Sequence, residues 1–88
     1  MPYKLVWTDG LGNFVKAIYD TEEEVLTQAR YEAGRAGGPE LKHVLNSDGV
    51  VIAAWDAMGN SGKQRELTGE DLASYAEAVA SAQIPAEP

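Results

Sequence analysis

Apolar and polar positions alternate over residues 3–8, with Tyr3, Leu5 and Trp7 on one side and Lys4, Val6 and Thr8 on the other. That is the period of a β-strand. Asp9-Gly10-Leu11-Gly12-Asn13 supplies turn residues, and residues 14–19 (FVKAIY) return as a second run rich in aromatic and β-branched side chains. The two runs predict a hairpin.

The period then changes. Thr21-Glu22-Glu23-Glu24 is a capping box, in which the Thr21 hydroxyl accepts from the Glu24 backbone N–H and the Glu24 carboxylate reaches back. Three glutamates also suit the positive end of a helix dipole. Val25, Ala29, Ala33 and Ala36 follow at helical spacing, and Gly37-Gly38-Pro39 stops the run, so a helix is predicted over residues 21–36. Residues 41–46 and 50–55 read as strands joined by Ser47-Asp48-Gly49, a strong hairpin signal. Residues 57–67 are polar and glycine-rich and read as an exposed loop. Leu72, Tyr75, Ala76 and Val79 form an apolar stripe behind Thr68-Gly69-Glu70-Asp71, predicting a second helix over residues 69–82. Ile84-Pro85-Ala86-Glu87-Pro88 cannot extend that helix, and residues 84–88 are expected to be a flexible tail on a single domain of residues 1–83.

The expected architecture is α+β in the order ββαββα, a four-stranded, mainly antiparallel sheet packed with two helices. The fourth strand is apolar on both sides. Val50, Ile52 and Ala54 point one way, and Val51, Ala53 and Trp55 the other. A strand of that kind requires cover on both faces, from the second helix or from a partner subunit.

From Tyr3 to about Ile52 the chain resembles a family of small bacterial proteins, domain of unknown function 2188. The opening hairpin carries the resemblance, with Asp20-Thr21, Glu23-Glu24 and Ala29-Arg30 around the helix, Leu41-Lys42-His43-Val44 in the third strand, and the Asp48-Gly49 turn. The resemblance implies a compact ββαββ unit. It implies no activity and no site residues.

Charge narrows the partners. Seven Lys and Arg stand against fourteen Asp and Glu, a formal net charge of −7, which disfavours nucleic acid and anionic membranes as partners and admits a basic protein. Maintaining solubility is the simpler account of that charge. The absence of cysteine removes disulfides and thiol chemistry and favours a reducing compartment. No stretch reaches the length of a membrane span, and the opening residues MPYKLVW lack a signal-peptide layout, so a cytoplasmic location is expected.

Candidate chemistry is thin, and no cofactor is implied. Gly59-Asn60-Ser61-Gly62-Lys63 is like the end of a phosphate loop, but Ala57 stands where the first glycine belongs and Gln64 where Ser or Thr would hold magnesium. Gly10-Leu11-Gly12 precedes a strand, whereas a dinucleotide fingerprint opens a helix. Glu22, Glu23 and Glu24, like Glu70 and Asp71, sit where helix capping already explains them. His43, the sole histidine, is expected on the sheet surface or half-buried at an edge. Aromatics on a sheet can stack on bases, but Lys4, Lys16 and Lys42 are a small cationic supply against this acidic background.

Three functions follow as expectations. In the first, a non-enzymatic bacterial or phage accessory protein acts through protein–protein contact, as a homodimer, through Val51, Ala53 and Trp55, with Gly59, Lys63 and Arg65 as a rim. In the second, an acidic nucleic-acid mimic binds a basic protein, which requires most of Asp20, Glu22, Glu23, Glu24, Glu66, Glu70 and Asp71 to share a face. In the third, a small ligand-binding protein or enzyme uses His43, which requires a concavity beside it.

Overall fold

The computed structural model describes the backbone of residues 2–8, 11–12, 14–35, 40–56 and 63–87, and the side chains of all of these except 14–16. The elements run β1 (Tyr3–Thr8), β2 (Phe14–Tyr19), α1 (Glu22–Ala33), β3 (Glu40–Leu45), β4 (Val51–Asp56), β5 (Arg65–Glu66) and α2 (Gly69–Ala80). The fold is α+β with two helices, as expected. Its sheet has five strands rather than four, antiparallel throughout, in the order β2-β1-β3-β4-β5.

The extra strand lies inside the region expected to be loop. Arg65 and Glu66 pair with Asp56 and Trp55, and the Leu67 N–H donates to the Ala54 carbonyl at 2.8 Å. Two residues are too few to show an alternation, so only the partner strand defines them as β. Gln64 pins their approach. Its side-chain amide accepts from the Leu41 N–H and donates to the Leu41 carbonyl, both at 2.7 Å, while its backbone N–H donates to the Ala33 carbonyl at 3.0 Å.

Local chemistry shapes the helix ends and the turn. Thr21 accepts from the Glu24 N–H at 3.2 Å, as the capping box requires. The Glu24 carboxylate accepts from the Thr21 hydroxyl at 2.9 Å, where a capping box would have it reach the backbone. The helix closes at Ala33, before the expected Gly37-Gly38-Pro39 stop, which lies outside the described residues. Between β3 and β4, Asn46 Oδ1 accepts from the N–H groups of Asp48 and Val50, and Gly49 takes φ 79°, a conformation that favours glycine.

Two bulges decide which side chains share a face. Between β1 and β3 the pairing steps from Val6↔His43 to Trp7↔Leu41, leaving Lys42 as the extra residue. Between β3 and β4 it steps from Val44↔Ala53 to Leu45↔Val51, leaving Ile52 extra. The sheet therefore has two separate cores. Leu5, Leu41, Val44, Ala53 and Trp55 pack under α1 through Val25, Ala29 and Ala33. Val6, Leu45, Val51 and Ala54 pack on the other face with Leu67 and with Val79, Leu72, Tyr75 and Ala76 of α2. No helix among the described residues is long and apolar enough to cross a membrane.

The residues after α2 lie back against the sheet. Helix α2 closes with the N–H groups of Gln83 and Ile84 donating to the Ala78 carbonyl, and Ala82 takes the left-handed conformation at φ 64°. Residues 84–87 then fold back. Ile84 and Ala86 pack into the second core, and Glu87 pairs with Lys4 of β1.

Candidate functional site

The bulge at Lys42 brings Lys42 and His43 to the same cleft, on the side of the sheet that carries α2. His43 is 1% exposed on a central strand, in contrast to the surface or edge position expected for it. Both ring nitrogens are engaged, Nδ1 with the Tyr75 hydroxyl at 2.8 Å and Nε2 with the Ala86 carbonyl at 3.0 Å. A carbonyl can only accept, so Nε2 carries the proton and Nδ1 accepts from Tyr75. Tyr75 meets the imidazole edge-on, with ring centroids 5.6 Å apart.

Beside this pair opens a cleft of about 420 Å³. Tyr75 and Leu67 supply its apolar and aromatic wall, Trp55 borders it from β4 while packing in the α1 core, Ile84 and Pro85 of the returning chain close one side, and Glu40, Lys42 and Asp56 bring charge to it. Asp56 is already paired with Arg65 at 2.7 Å. The volume falls within the roughly 300–1,000 Å³ of small-molecule sites. A larger depression, about 590 Å³, lies along the start of α1, lined by Tyr19, Thr21, Glu23, Glu24, Thr27 and Gln28. It lacks a buried floor, since each of those residues is exposed or half-exposed. The smaller cleft is the better-formed site.

Its electrostatics argue against proton transfer. Burial pushes the His43 pKa below its ordinary value, and the nearby Lys42 ammonium adds to this, while the hydrogen bond to Ala86 opposes it. Burial pushes the Tyr75 phenol up to about 12. Both groups are therefore neutral at pH 7, and neither ring nitrogen of His43 is open to a substrate. Among the described residues no three His, Cys, Asp or Glu side chains are grouped to hold a metal.

The residues expected to form an interface are not gathered on an open face. Val51, Ala53 and Trp55 are 7%, 3% and 3% exposed. The bulge at Ile52 also separates them, with Val51 packing against α2's core and Ala53 and Trp55 against α1's. Lys63 and Arg65 are exposed, and Gly59 lies outside the described residues. The acidic set is divided as well. Glu22, Glu23 and Glu24 open α1, Glu70 and Asp71 open α2 on the opposite face, and Glu66 is held by Arg30 at 3.0 Å.

Reasoning from sequence singled out His43 but missed Leu67, Tyr75, Ile84 and Pro85 as its surroundings. Tyr75 was visible only as a core position on α2. The one signal for the returning chain was Ile84, an apolar residue stranded between a helix end and a proline. Compared with known proteins, the chain matches no family model, no curated protein and no solved structure.

Proposed function

We propose that this chain is a small non-enzymatic binding module whose site is the cleft beside His43, taking a compact ligand with an apolar body and a polar head. One observation carries the reading: a cleft of about 420 Å³ that combines Leu67, Tyr75 and Ile84 with Lys42 and Glu40 at one place. Apolar walls with a few convergent polar groups are the usual form of a ligand site, the walls supplying affinity and the polar groups orientation. Catalysis by His43 receives no support, because Tyr75 and Ala86 occupy its nitrogens. Contact through the β4 side chains receives none either, because both helices cover them.

The test is a fragment screen on the isotopically labelled chain at pH 7.5, read by amide and indole shifts. Binding should perturb Lys42, Trp55, Leu67, Tyr75 and Ile84 together. It should be lost in Leu67→Trp, which fills the cleft, provided that variant keeps the dispersed spectrum of the parent. Hits that map elsewhere, or that bind Leu67→Trp equally well, would sink the reading.

A further inference from the structure

Two charged side chains of opposite sign stand in the cleft beside His43 with no partner among the described residues. Lys42 and Glu40, two positions apart on β3, both line the cleft and both are half-buried. Neither side chain joins the ion pairs of the described residues, whereas Asp56, the third charge at the cleft, is held by Arg65 at 2.7 Å. A partly desolvated charge gains most from a counter-charge that a ligand brings to it. A ligand of one sign would satisfy one of these two side chains and cover the other beside a like charge. A head that carries both signs satisfies both.

The pairing of His43 with Tyr75 adds a second constraint. Tyr75 donates its only hydroxyl proton to His43 Nδ1, at 2.8 Å, so its oxygen offers a ligand lone pairs and no donor. The imidazole is itself fixed, because Nε2 donates to the Ala86 carbonyl at 3.0 Å. An acceptor held this way suits an ammonium and gives nothing to a carboxylate. The remaining wall is hydrocarbon, with Leu67 and Ile84 beside the Tyr75 ring. At about 420 Å³ the cleft lies toward the small end for ligand sites, which suits a compact molecule.

We propose that this cleft takes a free α-amino acid with an apolar side chain, its carboxylate on Lys42, its ammonium on Glu40 and the Tyr75 oxygen, and its side chain against Leu67 and Ile84. The proposal rests on the cleft being the binding site, and it names the class of compound that site takes. Both charges of such a ligand sit on one carbon. Lys42 and Glu40 can close on that single head because they are near neighbours on one strand and carry long side chains.

Titration of the full chain at pH 7.5 with three compounds tests this, read by the amide shifts of Lys42, Leu67, Tyr75 and Ile84. Phenylalanine carries both charges, 3-phenylpropanoate lacks the ammonium, and 2-phenylethylamine lacks the carboxylate. Phenylalanine should bind about tenfold or more tightly than either of the others, the scale of one charge-assisted hydrogen bond. Lys42→Gln should abolish its advantage over the amine, and Glu40→Gln its advantage over the acid. Tyr75→Phe should shrink the advantage over the acid and spare the advantage over the amine. Equal affinity for phenylalanine and either singly charged compound would overturn the proposal, and so would preferences that survive both Lys42→Gln and Glu40→Gln. The three-compound comparison on the parent chain is decisive by itself if a variant does not fold. Binding of all three alike at these residues would remove the amino acid and leave the cleft a ligand site. No shift from any of the three would also overturn the amino acid, and the binding reading would then stand or fall on the fragment screen.

Discussion

The two faces of the sheet solve the same burial problem by different means. Under α1 the core is built of aliphatic and aromatic side chains, with Leu5, Leu41 and Val44 meeting Val25, Ala29 and Ala33, and the buried Trp7 Nε1 beside it has no hydrogen-bond partner. Under α2 the core admits a buried histidine, a tyrosine hydroxyl and a strap of returning chain, and it leaves a cleft at its edge. The α1 face has fixed cover from a capped helix. The α2 face has its polar groups satisfied by pieces that a modest change could undo. A buried polar pair raises the stakes, because a broken partnership leaves a desolvated group without a bond. One face is therefore suited to hold the fold, and the other to respond.

The sharpest way to break that comparison is to cut each face in turn. Leu5→Ala, at a position with no exposure, should cost about 2–5 kcal/mol and lower the urea midpoint of the whole chain. Ile84→Ala, on the half-buried strap, should cost about 1 kcal/mol and raise hydrogen exchange only near the C-terminus. Equal global losses from both would mean that the two faces do not differ in kind. Gln64→Leu should cost about 1–3 kcal/mol, because the Leu41 N–H and C=O then lose their side-chain partner at the strand edge. Thermal unfolding would show it.

Dependence on pH should belong to the α2 face. His43 has a folded pKa below its unfolded one, so the unfolded chain binds more protons in between, and stability must fall as pH drops through 6.5. Tyr75 has the opposite sign. Its pKa rises from about 10 to about 12, so the contribution is intact below pH 10 and fades as pH climbs toward 12. Urea titrations of the parent, His43→Gln and Tyr75→Phe should show each limb flattening in the matching variant. The smallest effect is expected at Ala82, just past the end of α2. Ala82→Gly relieves a left-handed alanine and should raise stability by about 0.5–1 kcal/mol, if the strap stays docked.

Both hairpins, both helices and the Asp48-Gly49 turn were legible in the sequence, because alternation, capping and turn chemistry are local and act within a few residues. The capping of Thr21 on Glu24 needed nothing beyond four consecutive positions. The site was much less legible. His43 stood out as a lone histidine, but its neighbours in the cleft come from β4, from Leu67 after β5, from α2 and from the end of the chain. None of those distances is encoded in spacing along the chain.

The amino-acid sequence by itself determined an α+β chain of two hairpins and two helices, with a fourth strand that had to be buried on both sides. The tertiary structure alone decided the rest. It chose α2, on the face opposite α1, as the second cover of β4, and it recruited Arg65–Glu66 as a fifth strand by pairing them with Trp55 and Asp56. It also placed single-residue bulges at Lys42 and Ile52, which put His43 under Tyr75 and sent Val51 and Ala53 to opposite cores. The physical reason is that side-chain direction in a strand has period two. One inserted residue reverses everything beyond it, and where that residue falls is settled by how the neighbouring strand and the covering helix pack, which no run of consecutive residues records.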